Sequence, residues 1–308
     1  MKTIKDIRQS VTALPPLVIA VAGISEEEIL LVRQARDEGL AEFILIDEEK
    51  HIQSLLEKYQ LAADDIKIAA VPNAHHAPAE AVRLVSQGEA DLPMKGQVHT
   101  STFLKAVLDR EKGLASGKRL SQITMFDGYQ EEPQFLTDCA INIAPALEEK
   151  IEIIENAAAI FSCFSEEVPY VALLGAVETV SPKMPDTIDS AVITQMNRRG
   201  QITGCVIDGP LSLDNAISKH FAAIKKIDSP VAGKAQILVS SDLREANNVS
   251  KAIIHYAKRD ACSIIAGTTI PVVMTSRTDR QENKINTIAV ACYMFHQMKR
   301  RKEKDSGI

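Results

Sequence analysis

Short apolar runs alternate with longer segments of helical periodicity along this 308-residue chain. Uninterrupted apolar runs such as Leu17–Ala22 and 43–46 predict strands that are buried on both faces. The segment 25–28, Ser-Glu-Glu-Glu, follows the first run and has the form of a capping box, which predicts a helix start. Further strands are predicted at 67–71, 91–94, 122–126, 134–137, 171–178, 202–208, 235–239, 262–266 and 272–275. Such alternation predicts βαβ units and parallel sheets covered by helices.

The length of the chain favours two domains, at about 150 residues for each domain. A long helix predicted at 146–161 follows the first set of strands, and the alternation restarts near residue 171. The pattern therefore predicts two successive α/β blocks with a boundary at about residues 139–145.

Composition narrows the classes of function. Thirty-five basic and 41 acidic residues give a formal net charge of −6, which argues against general nucleic-acid binding. The five cysteines form no CxxC pair, so neither a disulfide framework nor a zinc knuckle is predicted. Neither a secretory signal nor an apolar run of 18 residues is recognised, and we expect a cytoplasmic protein without a membrane partner.

Standard nucleotide motifs are missing. Residues 113–119, Gly-Leu-Ala-Ser-Gly-Lys-Arg, resemble a phosphate loop but are one residue short between the glycines, and Arg119 replaces the Mg²⁺-binding hydroxyl. No GxGxxG follows the first predicted strand, and neither GxSxG nor HExxH occurs. The sequence therefore predicts neither a standard dinucleotide fingerprint nor a metal site.

Polar residues at the ends of predicted strands are the candidates for chemistry, because ligands of open α/β sheets bind there. Four such corners carry groups that suit anions, and they lie at 94–102, 207–214, 229–235 and 274–279. In the first, Lys95 is a cation, Gly96 permits a close turn, and Thr100 lies at a helix start. In the last, Arg277 follows Ser276. Taken singly, each corner is equally compatible with a capped turn beside a solvated side chain. Together they predict a metal-independent site for a phosphate-bearing small molecule.

Seven segments in order are similar to the phosphate acetyltransferase and phosphate butyryltransferase family. They are 94–100, 137–142, 176–184, 199–204, 208–216, 229–233 and 275–277. The forms Met-Lys-Gly, Val-Glu-Thr-Val-x-Pro-Lys-Met and Asp-Gly-Pro-Leu resemble the butyryltransferase branch more closely.

The resemblance implies reversible transfer of a short-chain acyl group, butyryl or branched C4–C5, by direct displacement: acyl-CoA + phosphate = acyl phosphate + CoA. It implies acyl-CoA and phosphate as substrates, no permanently bound cofactor and a homodimer. The implied fold is two doubly wound α/β domains with an interdomain cleft, like isocitrate and isopropylmalate dehydrogenases. Because the chain of that fold returns to its first domain, residues 1–140 plus 267–308 and residues 141–266 are the expected domains.

The resemblance also assigns roles to residues. Ser276 and Arg277 match the catalytic Ser-Arg pair, in which arginine binds phosphate or the developing oxyanion and serine binds the carbonyl or the CoA sulfur. The expected substrate-binding residues are Lys95, Gly96, Thr100, Lys105, Asp208, Lys234 and Asn247. Cys139 is not expected to form an acyl-enzyme.

Three departures from the family pattern leave alternatives open. Lys105 stands where arginine is usual, and the acid expected beyond Ser-Arg falls on Glu282 or Asn283. The family's Pro-Asp-x-Glu-Ala-Gly-Asn carries Arg244 and Ala246 here. A non-catalytic CoA- or acyl phosphate-binding relative therefore remains an alternative, as does an oxidoreductase of the dehydrogenase-like fold.

Overall fold

The predicted alternation of strands and helices is present in the computed structural model, which describes residues 3–61, 66–129 and 132–305. The strands are β1 Leu17–Ala22, β2 Ala41–Asp47, β3 Lys67–Ala70, β4 Leu92–Lys95, β5 Ser121–Asp127, β6 Pro133–Thr137, β7 Tyr170–Leu174, β8 Val206–Leu211, β9 Ile237–Val239, β10 Ala261–Ala266 and β11 Val273–Met274. The α-helices are α1 Ile4–Val11, α2 Glu26–Asp37, α3 Glu49–Lys58, α4 Ala77–Ser86, α5 Thr100–Val107, α6 Leu147–Ser162, α7 Pro185–Arg198, α8 Leu213–Ile217, α9 Lys219–Ile224, α10 Leu243–Lys251 and α11 Gln281–Asp305.

The chain divides into two compact units, and the first, here called the N-terminal unit, comprises Lys5–Gly117 together with the chain from Cys262 onward. Its sheet has the order β11-β4-β1-β2-β3, and every neighbouring pair in it is parallel. Apolar side chains of β1, β2 and α11, such as Ile19, Leu45 and Ile288, form its core. All carboxyl ends of these strands therefore lie at one edge of the sheet.

The second, here called the central unit, consists mainly of Lys118–Ala261. The strands of its sheet have the order β5-β6-β9-β7-β8. Strands β6, β9, β7 and β8 are parallel to one another, whereas β5 runs antiparallel to β6. Leu136, Leu174 and Leu238 contribute to its buried core.

The division of the chain differs from the sequence-based boundaries of 1–140, 141–266 and 267–308. It falls after Gly117 and after Ala261. Strands β5 and β6 belong to the central unit because β6 pairs in parallel with β9, a non-local contact that sequence periodicity does not reveal.

Two predicted strands differ from the structure by more than two residues at an end. The strand predicted at 171–178 ends at Leu174, and Glu178 beyond it accepts hydrogen bonds from Ser212, just after β8, and from Asn215 in α8. The strand predicted at 202–208 instead spans Val206–Leu211. A glycine at φ +78°, Gly204, turns the chain before it, and a proline is tolerated within it because β8 is the edge strand.

Candidate active site

Lys95 is the last residue of β4, at the carboxyl edge of the sheet in the N-terminal unit. Its strand lies between β1 and β11, and Lys95 is in register with Ala22 and Met274. Lys95 is only 7% exposed. Its Nζ donates hydrogen bonds to the carbonyl oxygens of Gly96 and Val98, at 3.1 and 3.4 Å. The turn after β4 therefore holds this amine in place with neutral acceptors.

Gly96 allows this turn to pack directly over the end of β1. Its N–H donates to Ala22 O at 3.0 Å, and the N–H of Gln97 donates to Gly23 O at 2.9 Å. A Cβ atom on Gly96 would lie 2.0 Å from Gly23 O, which is far inside van der Waals contact. Only glycine fits the observed backbone, so Gly96 shapes the turn that positions Lys95.

Ser276 and Arg277 follow β11, the strand beside β4. Ser276 N–H donates to Asp279 Oδ2 at 2.8 Å, and Asp279 N–H donates back to Ser276 O at 3.1 Å. The Ser276 hydroxyl lies 3.2 Å from Thr278 Oγ1. Both Ser276 and Arg277 are exposed. The tight turn thus presents a hydroxyl and a guanidinium at the sheet edge where Lys95 lies.

The charges around Lys95 come from three elements. Burial lowers the pKa of its amine, and the nearby positive charges of Arg277 and Lys284 lower it further. Glu28 and Glu27 of α2 act in the opposite direction. Lys284 is itself buried and forms an ion pair with Glu27. The amine of Lys95 therefore gives up its proton more readily than an exposed lysine.

Two further predicted residues lie on α5. Thr100 is its first residue and is exposed, and the preceding N-cap residue His99 makes no side-chain capping hydrogen bond. Lys105 is exposed, on the side of the helix away from the buried Phe103 and Val107. Thr100 therefore lies at the start of α5, five residues after Lys95 in the chain, whereas Lys105 lies on the solvent face.

Asn247 lies in α10 of the central unit and ties that helix to the loop after β6. Its Nδ2 donates to Cys139 O at 2.9 Å. The same loop is organised by Asp138, which is 4% exposed. Its carboxylate accepts backbone N–H groups of Gln122, Ala140, Ile141 and Asn142. Sequence reasoning included Asp138 in a matching segment but assigned it no role. Its many local donors indicate that it shapes this loop.

Asp208 does not end its strand, as the sequence suggested, because β8 continues to Leu211. Its Oδ1 lies 3.5 Å from a guanidinium nitrogen of Arg198, at the end of α7. The ion pair gives Asp208 a structural partner on the helix that covers β8.

Lys234 lies apart from Asn247 within the central unit. It precedes β9, whereas α10 follows that strand, so the two residues lie toward opposite edges of the sheet. The Lys234 ammonium lies 5.5 Å from the ring centroid of Tyr170. The predicted substrate-binding lysine therefore makes a cation–π contact with Tyr170.

Cys139 has the environment of a structural thiol. Its Sγ donates to Leu136 O at 3.2 Å, and the residue is 2% exposed. Burial raises the pKa of the thiol to about 12. Since the thiolate is the nucleophilic form, this side chain is unsuited to forming an acyl-enzyme at neutral pH.

Glu178 anchors a polar cluster. The sequence placed Glu178 in a matching segment, 176–184, without assigning it a role. Its Oε1 accepts hydrogen bonds from Lys225 Nζ at 2.7 Å, Ser212 Oγ at 2.5 Å and Asn215 Nδ2 at 2.6 Å. The bonds from Lys225 and Ser212 lower the pKa of this carboxyl group. The cluster joins the loop after β7 to the loop after β8.

The departures at Arg244 and Ala246 are both accommodated. Arg244 is exposed, and its guanidinium donates to Asp242 Oδ2 at 2.6 Å, which compensates its charge. Ala246 is fully buried in the core of the central unit. Neither residue distorts the helix that carries Asn247.

Neither candidate for the expected acid beyond Ser-Arg is a free carboxylate. Glu282 forms an ion pair with Arg8 of α1. Asn283 is 2% exposed, its Oδ1 accepts a hydrogen bond from Arg280, and its side-chain amide cannot take up a proton at neutral pH. The identity of the group that takes the thiol proton is therefore not given by this part of the chain.

The described ranges 3–61, 66–129 and 132–305 also bear on two other classes of site. No group of three His, Cys, Asp or Glu residues there could hold a metal ion. No helix in those ranges is both apolar enough and long enough to span a membrane.

Comparison with known proteins gives consistent matches over the chain. The family model described as phosphate acetyl/butaryl transferase matches residues 76–292, which include all the predicted site residues. A phosphate butyryltransferase from Clostridium acetobutylicum is 40% identical over 94% of this chain and 97% of its own. A phosphate acetyltransferase from Thermotoga maritima is 38% identical over 89% of this chain and 93% of its own. The chain is also similar to a branched-chain phosphotransacylase from Enterococcus faecalis V583, whose crystal structure superposes with a TM-score of 0.82. The two are 31% identical in sequence, and the match covers 91% of this chain and 99% of the other. The two-domain α/β fold predicted from the sequence is thereby confirmed.

Proposed function

Because the chain belongs to the phosphate acetyl/butyryl transferase family, we propose that it transfers a short-chain acyl group reversibly between CoA and inorganic phosphate. The reaction is acyl-CoA + phosphate = acyl phosphate + CoA. We propose butyryl or a short branched chain as the acyl group. The names of the Clostridium relative and of the Enterococcus structure support this choice, although the similar identity to an acetyltransferase leaves acetyl as an outcome of the test.

One observation carries the proposal: Ser276 and Arg277 follow β11, which is in register with the strand that ends at Lys95. This arrangement places a hydroxyl, a guanidinium and an amine at one sheet edge, without a carboxylate partner for Lys95 in the part of the chain that the structure describes. Such an edge suits an anion that carries two negative charges, as phosphate does.

The geometry supports direct displacement. A phosphate oxygen attacks the thioester carbonyl, a C–O bond forms, and the C–S bond breaks to release CoA. Arg277 binds phosphate or the oxyanion that develops on the carbonyl oxygen, and its planar fork matches either group. Ser276 donates its hydroxyl to the carbonyl oxygen or the departing sulfur. The buried thiol of Cys139 takes no part in bond formation.

The remaining features of the proposal follow from the resemblance. CoA is a substrate rather than a resident cofactor, and the protein acts as a homodimer. The cytoplasmic location expected from the sequence is part of the same proposal. The molar mass in solution, measured by light scattering, tests whether the protein is a dimer.

The activity is tested by release of CoA thiol from acetyl-, butyryl-, isobutyryl- and isovaleryl-CoA, with and without phosphate, in the presence of EDTA. We expect phosphate-dependent release that is fastest with the butyryl or branched substrates. Thiol release from none of them would contradict the proposed activity, and a preference for acetyl-CoA would correct the proposed chain length.

Arg277→Gln tests the assigned site. We expect a loss of about 10²–10³-fold in kcat, the usual cost of removing a group that stabilises an oxyanion. Arg33→Gln is the matched control, because Arg33 is an exposed arginine on α2 of the same unit. Near-normal kcat in Arg277→Gln would show that Arg277 does not take part in catalysis.

A further inference from the structure

The proposed reaction needs a group that moves a proton between phosphate and the CoA sulfur. When phosphate attacks acyl-CoA, the hydrogen phosphate dianion loses a proton and the departing thiolate gains one. The two α11 positions where an acid was expected do not supply this group, since Glu282 is paired with Arg8 and Asn283 is an amide. Another side chain at the same sheet edge is therefore a candidate for the proton carrier.

We propose that Nζ of Lys95 is this proton relay, an inference that rests on the proposed function. Lys95 lies at the carboxyl end of β4, next to the strand that leads into Ser276 and Arg277. Its Nζ is held by two carbonyl oxygens, those of Gly96 and Val98. A neutral amine has two N–H donors for these acceptors and one lone pair left to accept a proton. This arrangement leaves one position on Nζ free to exchange a proton with a substrate, as a lone pair in the neutral amine or as a third N–H in the ammonium form.

The atoms balance over the reaction without any further reactant. As the phosphate oxygen bonds to the acyl carbon, its proton passes to the lone pair of Lys95. As the C–S bond breaks, the ammonium group passes that proton to the CoA sulfur and returns to the neutral amine. In the reverse direction Lys95 takes the thiol proton and delivers it to the departing phosphate.

The charged groups around Lys95 act on the pKa of its amine in both directions, with a net lowering. Arg277 from the turn after β11 and Lys284 from α11 lower the pKa of the amine, beyond the larger effect of burial. Glu28 and Glu27 of α2 raise it, but both carboxylates have other partners: Ser25 donates to Glu28, and Lys284 pairs with Glu27. The surroundings thus favour an amine that alternates between its two protonation states during turnover.

Substitutions at Lys95 separate a relay from a simple anion-binding cation. Lys95→Arg keeps the positive charge, but arginine does not lose its proton in proteins. For a relay, we expect Lys95→Arg and Lys95→Ala both to lose about 10²–10⁴-fold in kcat, the usual contribution of general acid–base catalysis. Methylamine added to Lys95→Ala should restore part of that kcat. Lys50→Ala, at an exposed lysine on α3, is the control and should match the wild type.

The pH profile provides a second readout that a purely structural role would not change. It is measured with acyl-CoA and phosphate at pH values above the second ionisation of phosphate. The kcat of the wild type should rise with pH as Lys95 becomes neutral. This rise should be absent in Lys95→Ala, and with methylamine present it should follow the pKa of the added amine.

The outcomes are distinct from those of the proposed function. Absence of phosphate-dependent thiol release by the wild type contradicts the activity itself. An active wild type with near-normal kcat in Lys95→Arg, or with the same pH-dependent rise in Lys95→Ala, overturns the relay and leaves the activity standing. Loss of kcat without rescue by methylamine, in a variant whose thermal unfolding is unchanged, also counts against the relay.

Discussion

Gly96→Ala tests whether the close turn after β4 is needed for catalysis. The added Cβ would lie 2.0 Å from Gly23 O, 3.0 Å from Ala22 O and 3.1 Å from Glu28 Cγ. Comfortable contact needs about 3.5 Å between heavy atoms, so the turn must move away from Gly23 by more than about 1 Å. Both atoms that it meets first are backbone oxygens, which cannot rotate away.

The expected effects follow from that displacement. Two hydrogen bonds clamp the turn to the end of β1, from Gly96 N to Ala22 O at 3.0 Å and from Gln97 N to Gly23 O at 2.9 Å. Overpacking of this kind costs about 1–3 kcal/mol of stability. A displacement of about 1 Å in positioned groups can reduce the rate about 10²-fold, and Lys95 immediately precedes the turn. We therefore expect a modest loss of stability with a disproportionate loss of kcat.

The assay measures thermal unfolding and phosphate-dependent thiol release for the same protein preparations. Gly88→Ala is the control: Gly88 has φ +76°, and a Cβ there would meet nothing within 4 Å. Its left-handed backbone should cost about 1–2 kcal/mol of stability without moving the turn after β4. The reasoning is refuted if Gly96→Ala keeps wild-type kcat, or if both variants lose kcat in proportion to stability.

Three further predictions concern the central unit. Cys139→Ala should retain kcat within a few-fold, and iodoacetamide should fail to label Cys139 in the native protein, as mass spectrometry of labelled peptides would show, because the thiol is buried and protonated. Lys234→Ala should leave the KM values for acyl-CoA and phosphate unchanged in steady-state assays, because Lys234 lies toward the other edge of the sheet from Asn247. Because hydrogen bonds from Lys225 and Ser212 depress the pKa of Glu178, its stabilising effect is complete above its unfolded-state pKa and is lost as pH falls through the lower folded-state pKa. The thermal midpoint of Glu178→Gln should therefore fall less steeply with acid than that of the wild type.

Most strand and helix positions were predictable from the sequence because buried parallel strands have a strong local signal. Leu17–Ala22 is an uninterrupted apolar run and forms β1 with those bounds. The predicted capping box is also present, since Ser25 accepts from the backbone N–H of Glu27 and Glu28 accepts from that of Ser25. These features depend on residues that are neighbours in the chain.

The errors lie where the structure depends on contacts between distant residues. Helix α1, Ile4–Val11, has buried apolar side chains at only three positions and was not predicted. Beyond the end of β7, Glu178 is held by a residue 37 positions away in the chain, Asn215 of α8. The assignment of β5 and β6 to the central unit depends on the pairing of β6 with β9. No local periodicity encodes these pairings.

For the candidate site, too, the sequence shows which residue types are present but not which other residues surround them. Motif matching located Ser276 and Arg277 because these residue types occur in a recognisable order. It could not show that Glu282 forms an ion pair with Arg8. Nor could it show that Lys95 is buried near Arg277 and that its amine donates only to carbonyl oxygens. An acid–base group is defined by its surroundings as much as by its type, since burial and neighbouring charges decide which protonation state it holds. The proposed relay rests on the register of β4 with β11, which places Lys95 next to the strand that leads into the Ser-Arg pair.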